Sequence, residues 1–432
     1  MFFPGGGERL RAAGRYFSMN TSSPATAQAQ ADMSPMQRQL QSHRHYYAFL
    51  VTFLVLTSAL GSFVNDMYSP ALPAMCTFFG CSVPLGQMGL TMGMIGLALG
   101  QIILGPVSDR CGRRPVMIGS LVLFIVSAGV SVFSPTIHMF NVCRLFQGIG
   151  ASGGYFLART IPADVYSGRP LAKLMALTGA INGIAPASAP VIGGVTADAW
   201  GWKGVFLVLA AFALCILAVT PLVKESLSVS RRSHGPLSSI LAEYRVLVTN
   251  RAFMVHIWLK GAALGLLFAY ISASPFILQR LYGMSQTNYG LIIGLNAVFA
   301  AAGSMSALKF KLLKRAATVG AGIIAVAVAA GAWILCCVHS IWAFEAFTIV
   351  MSFGLGMIFT SANTLAMNEG RAHAGEASSL LGITGYIIGA IVSPLVGMGN
   401  ILHSTALVYG ATTLLVVILA ILSDRLPADL NK

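Results

Sequence analysis

The sequence predicts an all-α polytopic membrane protein with twelve transmembrane helices in two six-helix pseudo-symmetric bundles. Of its 432 residues, 56% are hydrophobic and 9% are charged, whereas soluble proteins carry about 25% charged residues. Apolar runs of about 20 residues recur from Tyr46 onward, and each is long enough to cross a bilayer as a helix. The basic residues also fall in alternate connecting loops, which is typical of a multi-pass topology.

The twelve apolar runs divide the chain into two halves. The longest loop, 224–251, is polar and separates an N-terminal bundle (46–223) from a C-terminal bundle (252–423). Residues 1–45 lack the apolar core of a signal peptide, so we expect a disordered cytoplasmic tail, and 424–432 form a second cytoplasmic tail. The predicted spans are 46–71, 85–105, 115–134, 138–162, 171–197, 203–223, 252–279, 286–308, 316–338, 341–366, 376–400 and 404–423.

The charge distribution fixes the orientation of these spans. Most of the 27 Lys and Arg residues fall in the tails or in loops that the alternation places inside, and only Lys203 and Arg280 fall in loops outside. Arg144, Arg159 and Lys260 lie within spans. Because basic loops stay on the cytoplasmic side, both termini are predicted to be cytoplasmic.

The net charge of +14 does not indicate a nucleic-acid partner, because the basic residues occupy short loops and form no patch on a soluble domain. The seven cysteines show no metal-ligand spacing, so no metal site is predicted. Cys76 and Cys81 share the first extracytoplasmic loop, and whether they pair stays open at this point.

An internal duplication supports a transporter. A shift of 204 residues places Ala189-Pro190 on Ser393-Pro394 and Gly150 on Gly354. Such repeats are typical of secondary transporters, which bind their substrate near the midplane between the halves.

Four ordered motifs carry a family resemblance. The run Gly-Pro-Val-Ser-Asp-Arg-Cys-Gly-Arg-Arg at 105–114 resembles the loop 2–3 signature of the major facilitator superfamily, and 141–150 and 182–194 resemble its fourth-helix and fifth-helix signatures. With Asn-Asp-Met-Tyr-Ser-Pro at 65–70, the set resembles the drug:proton antiporter branch, nearest the bicyclomycin-resistance exporters. Ala189 departs from the fifth-helix pattern, which usually has Gly before this Pro.

The resemblance implies a function and a location. It implies a proton-coupled secondary transporter that exports small amphipathic compounds or drugs by alternating access, in the lipid bilayer of the bacterial inner membrane. We expect a monomer that is no enzyme and needs no cofactor besides the proton gradient. A transporter of a natural metabolite such as a purine is the alternative on the same fold.

A rival class is an intramembrane serine protease, since Gly150-Ala-Ser152-Gly-Gly154 matches Gly-x-Ser-x-Gly. A serine nucleophile needs a base within hydrogen-bond reach, and no span carries a deep His. The sequence therefore disfavours proteolysis.

Asp66 is the one acidic residue within a span of the first half, and an ionisable group at such a position is a functional candidate. It lies about 30 Å from the cytoplasmic start of its helix, and Arg144 lies about 27 Å from the cytoplasmic end of its own. We therefore expect the two to pair, and the resemblance implies that Asp66 carries the proton while Arg144 tunes it. The full set of predicted cavity residues is Asp66, Arg144, Gln147, Asn65, Tyr68 and Lys260.

Two further groups are predicted to act in the conformational change. The resemblance implies that the loop 2–3 motif gates the cytoplasmic side and that Arg113 pairs with Asp164, although the motif could serve topology alone. Residues of the fifth span are predicted to bend it, with ordinary packing as the alternative. The gate residues are Gly105, Asp109, Arg110, Arg113, Arg114 and Asp164, and the helix-bend residues are Pro186, Pro190, Gly193 and Gly194.

Overall fold

The computed structural model describes residues 34–42, 44–166, 168–232, 244–338 and 340–426. Within these ranges the regular structure is helical throughout. Ten helices in this part of the chain are long and apolar enough to cross a membrane. The prediction of an all-α membrane protein is therefore confirmed.

The N-terminal bundle is built from long helices joined by short turns. One helical stretch, Gly168–Val219, breaks at Gly201, where the backbone has φ 67° and ψ −178°. We number its two arms α5 (168–200) and α6 (202–219). The preceding helices are α1 Arg44–Asp66, α2 Val83–Cys111, α3 Arg113–Val132 and α4 Ile137–Val165.

The C-terminal bundle follows the same plan. Polar residues directly before four of its helices accept a hydrogen bond from a first-turn N–H group, and this explains where those helices begin. The four caps are Asn250, Ser285, Ser340 and Asn400. The helices are α7 Arg251–Pro275, α8 Gln286–Ala307, α9 Leu313–Trp333, α10 Ile341–Glu369, α11 Ala374–Leu395 and α12 Ile401–Arg425.

The difference between twelve predicted spans and ten apolar candidates has two causes. Helix α4 carries Asn141, Arg144 and Gln147, whose side chains lower its mean hydropathy, and it is not among the ten. Helices α5 and α6 form one continuous candidate across the bend at Gly201.

The packing follows the internal duplication. Within the bundles, α2 packs on α4 and α8 packs on α10, and the 204-residue shift relates these two pairs. Between the bundles, α5 packs on α8 and α2 packs on α11, and the same shift relates these pairs. The two bundles are thus joined by equivalent contacts, as expected for pseudo-symmetric halves.

Part of the N-terminal segment differs from the expected disordered tail. Residues Pro35–Ser42 form a short helix before α1. Met36 of this helix is fully buried, and its N–H donates to the carbonyl of Glu225 at 3.1 Å. Residues 1–33, 233–243 and 427–432 lie outside the described ranges, so the predicted tails and linker are only partly covered.

The two cysteines of the first extracytoplasmic loop are free thiols. Cys76 is buried and Cys81 is half-buried. The two thiols are not joined by a disulfide.

The bend at Gly201 depends on glycine, because its combination of φ and ψ is open essentially to glycine alone. We expect Gly201→Ala to lower the free energy of unfolding by about 1–3 kcal/mol, measured by reversible unfolding in mixed detergent micelles. Gly410→Ala is the matched control, since a Cβ there meets open space within a regular helix. Equal stability of the two variants would contradict this role for Gly201.

Candidate functional site

Arg144 is an extensively hydrogen-bonded side chain of the first bundle. It is fully buried in α4. Its Nε donates to the carbonyl of Gly89 at 3.2 Å, and Nη1 donates to Gln147 Oε1 at 2.7 Å. Its Nη2 donates to Asn65 Oδ1 and to the carbonyl of Val64, both at 2.8 Å. The guanidinium group therefore ties α1, α2 and α4 together.

Aromatic rings cover the same guanidinium group. Arg144 Cζ lies 4.8 Å from the ring centroid of Tyr68 and 5.8 Å from that of Phe206, distances typical of cation–π contacts. The Tyr68 hydroxyl donates to the carbonyl of Gly86 at 3.2 Å. Tyr68 and Gln147 are fully buried beside Arg144. The structure therefore brings Arg144, Tyr68 and Gln147 together in the buried core of the bundle.

Asp66 does not pair with Arg144, which corrects the expected ion pair. Asn65 takes that place, because successive residues of a helix point about 100° apart and Asn65 is the one directed at Arg144. Asp66 is 8% exposed. Within the described ranges, no hydrogen bond or ion pair reaches its carboxyl group. It lies within electrostatic range of Tyr289 and Tyr386 of the second bundle, so it belongs to the interface between the bundles.

Lys260 and Arg159 are half-buried cations of opposite bundles. Arg159 was not among the predicted cavity residues. Lys260 Nζ donates to Asn363 Oδ1 at 2.8 Å. Arg159 Nη2 donates to the Tyr155 hydroxyl at 2.5 Å, and its Cζ lies 4.2 Å from the Tyr155 ring centroid. The sequence signal for Arg159 was its position inside a predicted span.

The second bundle has a buried polar cluster of its own. Glu345 is 6% exposed, and its Oε1 accepts a hydrogen bond from Asn296 Nδ2 at 2.6 Å. Its Oε2 accepts from Thr348 Oγ1 at 3.2 Å. Asn296 also bonds the Tyr270 hydroxyl at 3.0 Å. Tyr270 and Thr348 occupy the positions equivalent to Asp66 and Arg144, so the duplicated helices place polar groups at matching sites.

Hydrogen bonds between the bundles close the end opposite the loop of Arg113. Gln87 Nε2 donates to the carbonyl of Ser272 at 2.9 Å, and Thr91 Oγ1 donates to the carbonyl of Ala390 at 3.2 Å. Near the surface, Asp198 Oδ2 accepts from the N–H of Thr287 at 2.8 Å and from its hydroxyl at 2.6 Å. This end, which the charge distribution places outside, is sealed.

The glycines of α5 form the closest part of this seal. A Cβ built on Gly193 would overlap the carbonyl oxygen of Met67, and one built on Gly194 would overlap that of Gln286. These glycines therefore allow backbones of the two bundles to touch. The backbone break falls later, at Gly201, and bending by Pro186 and Pro190 stays a prediction.

Three of the predicted gate residues, Gly105, Asp109 and Asp164, lie around the Arg113 side chain. Its Nε and Nη2 donate to the two oxygens of Asp164 at 2.9 and 3.3 Å. Its Nη1 donates to Asp109 at 2.5 Å and to Ser108 Oγ at 2.6 Å. The Ser108 hydroxyl donates to the carbonyl of Gly105 at 2.8 Å. The expected contact between Arg113 and Asp164 is thus present, and it braces α2, α3 and α4.

Glu225 completes this assembly and was missed by sequence reasoning. Its carboxylate accepts the N–H groups of Arg113 at 2.8 Å and Arg114 at 3.1 Å. A carboxylate is favoured at the positive N-terminal end of a helix, here α3. Arg114 Nη2 donates to the carbonyl of Pro221 at 3.0 Å, while Arg110 is exposed. All these partners belong to the first bundle or directly follow it, so here the motif braces one half.

The serine of the protease-like motif has a structural role. Ser152 is fully buried, and its hydroxyl donates to the carbonyl of Ile149 at 2.7 Å in its own helix. Among the residues described, no group of three His, Cys, Asp or Glu residues could hold a metal ion.

Comparison with known proteins identifies the family. The Major Facilitator Superfamily model matches residues 54–394. The chain belongs to the Major Facilitator Superfamily. It is 34% identical to YdgK of Bacillus subtilis, an uncharacterised transporter of this superfamily, over 84% of this chain and 90% of that one.

Members named for drug resistance also match. Multidrug resistance protein D of Escherichia coli is 28% identical over 77% of this chain and 84% of its own length. The bicyclomycin resistance protein homolog of Haemophilus influenzae is 25% identical over 83% and 90%, respectively. The resemblance to this branch of the superfamily is therefore confirmed. The chain is a transporter-family protein and not an enzyme.

A solved structure shows the same fold. The inward-facing bacterial homolog of the human lysosomal transporter Spinster superposes with a TM-score of 0.70 at 15% identity, covering 88% of this chain and 97% of that chain. The predicted major facilitator fold is confirmed.

The Arg113–Asp164 ion pair is largely buried, so its loss is expected to be costly. We expect Asp164→Asn to lower the free energy of unfolding by about 2 kcal/mol, since hydrogen bonds between charged groups contribute roughly 1.5–3 kcal/mol. The measurement is unfolding in mixed micelles. Asp424→Asn, an exposed carboxylate in the last turn of α12, is the control and should leave stability unchanged. A stable Asp164→Asn variant would show that the pair is dispensable.

The contact at Gly193 predicts a shift in conformation. Gly193→Ala should push the bundles apart at the sealed end, because the added methyl group meets a backbone oxygen. With native cysteines replaced, Ser272→Cys, at a fully buried position, should then react faster with a membrane-impermeant maleimide applied from outside. Gly322→Ala, where a Cβ meets nothing within 4 Å, should not change the rate. Equal labelling in both variants would be the contrary result.

Proposed function

We propose that this protein is a proton-coupled secondary transporter that exports small amphipathic compounds, including drugs, across the bacterial inner membrane. Its termini would lie in the cytoplasm, and its energy source would be the proton gradient, without a further cofactor. The drug-resistance names of two relatives support this substrate class.

The observation that carries the proposal is the environment of Asp66. Its carboxyl group is nearly buried and has neither a hydrogen-bond donor nor a counter-charge among the described residues. An ionised carboxylate is costly in such a place, and binding a proton removes the charge. A change in hydration of Asp66 between conformations would therefore change its proton affinity.

The position of Asp66 links this proton to the movement of the bundles. It ends α1 next to Met67, whose carbonyl contacts Gly193 in the sealed end. Opening that end would admit water to Asp66 from the outside. Proton uptake there and release to the inside would drive export, which is alternating access by two rigid halves.

Arg144 would act on Asp66 indirectly. It holds Asn65 and the carbonyl of Val64, the two residues before Asp66, and so fixes the end of α1. We propose Arg144 and Asn65 as positioning residues. Gln147 and Tyr68 would hold Arg144 in place.

Asp66→Asn tests the proposal. Binding of chloramphenicol to detergent-solubilised protein should release protons from the wild type, because substrate and proton compete for the same state. Its apparent affinity should therefore rise with pH as Asp66 loses its proton. In Asp66→Asn, proton release should vanish and affinity should become independent of pH, whereas Asp66→Glu should retain both effects.

The control for folding is the size-exclusion profile of each variant. Unchanged proton release in a folded Asp66→Asn variant would remove Asp66 from the coupling mechanism. Transport by the wild type in vesicles that does not depend on a pH gradient would contradict proton coupling altogether.

A further inference from the structure

Arg159 and Lys260 are two cations on helices of opposite bundles. Arg159 lies on α4 and Lys260 on α7, and each is half-buried. They lie within electrostatic range of each other. Within the described part of the chain, neither has a carboxylate within ion-pair distance. Two uncompensated positive charges in a membrane protein interior require an explanation.

The direct partners of both cations are neutral. Arg159 bonds the Tyr155 hydroxyl and lies on its ring, and Lys260 bonds the amide oxygen of Asn363. These contacts orient the two cationic groups without cancelling their charge. Both Arg159 and Lys260 also keep further N–H donors, since a guanidinium carries five and an ammonium three.

Aromatic side chains border the same region. Tyr386 of α11 lies within electrostatic range of Arg159 and Tyr155, and its ring packs 6.3 Å from that of Phe268. Tyr155 also contacts α1, where a Cβ on Gly61 would come within 2.8 Å of its ring. The cations are therefore combined with apolar ring surfaces from both bundles, a combination suited to an amphipathic anion.

We propose that Arg159 and Lys260 together bind the anionic group of the transported compound, an amphipathic organic acid with a carboxylate beside an aromatic or aliphatic body. This inference rests on the proposed export function and specifies its substrate class. Arg159 would take the carboxylate through its planar pair of N–H groups, and Lys260 would add a point charge from the other bundle.

The same pair would make closure depend on the substrate. Two like charges repel more strongly as water leaves the space between them, because the effective dielectric constant falls. Closing of the bundles around Arg159 and Lys260 is thus disfavoured when no anion is bound. A bound carboxylate turns this repulsion into two attractions, one to each bundle, and so favours the occluded state.

A matched pair of probes isolates the charge. 1-Naphthaleneacetate and 1-naphthaleneacetamide have the same ring system and nearly the same size but differ in charge. We expect the purified wild-type protein to bind the carboxylate at least about 10-fold more tightly than the amide, measured by equilibrium binding of radiolabelled probes. Arg159→Gln and Lys260→Gln should each reduce this ratio toward 1.

Further variants separate charge from folding. Arg159→Lys should retain part of the preference, because it keeps the charge and loses the planar group. Lys309→Gln removes an exposed cation from the loop after α8 and should leave the ratio unchanged. Equal binding of the two probes by the wild type, no measurable binding of the carboxylate, or a full preference in folded Arg159→Gln and Lys260→Gln would each overturn the inference.

Transport in vesicles distinguishes this inference from the proposed function. If neutral chloramphenicol is exported in a pH-gradient-dependent manner but no probe preference exists, the anion site is wrong and proton-coupled export stands. If the preference exists but no compound moves with the pH gradient, the anion site stands as a binding site and proton-coupled export is wrong.

Discussion

The buried guanidinium of Arg144 is the constraint on which the first bundle depends. A charge without counter-ion inside a membrane bundle is tolerated only when its donors are satisfied. Arg144 meets this condition with two backbone carbonyls, Asn65 and Gln147. Because these partners lie on α1, α2 and α4, none of the three helices can shift against the others without breaking a charged hydrogen bond. We therefore expect these three helices to move as one body.

The neighbouring residues Asn65 and Asp66 have different roles in this arrangement. Asn65 is neutral and can satisfy Arg144 in every protonation state of the protein. Asp66 points elsewhere, and no residue in the described part of the chain bonds its carboxyl group. If Asp66 were the partner of Arg144, each protonation would weaken the packing of the bundle. A neutral partner separates the stability of the helix bundle from the chemistry proposed for Asp66.

The sequence predicted the architecture well and the pairing of side chains less well. Apolar length and loop charge predicted the helices, including the turn near Gly201, because hydropathy reports directly on the bilayer. Equal depth of Asp66 and Arg144 could not reveal which way each points, since one helical position changes direction by about 100°. Glu225 could not be predicted for another reason. It bonds backbone N–H groups of α3, and every residue other than proline has such a group, so the sequence of α3 does not indicate the contact.

The sealed end of the interface and its interior are built from different interactions, and this difference suits a transporter. The sealed end relies on glycine contacts and neutral hydrogen bonds such as Gln87 to the carbonyl of Ser272, which are short in range and lost as soon as the bundles separate. The interior between the bundles holds Arg159 and Lys260, which have no carboxylate within ion-pair distance among the described residues, and repulsion between like charges acts over longer distances. The sealed end is held by short-range attraction, whereas the interior has longer-range repulsion. Together they favour states in which only one end is sealed over an empty state in which both ends are closed. An anion between Arg159 and Lys260 would change that balance directly, so the substrate itself would permit the passage between the two states.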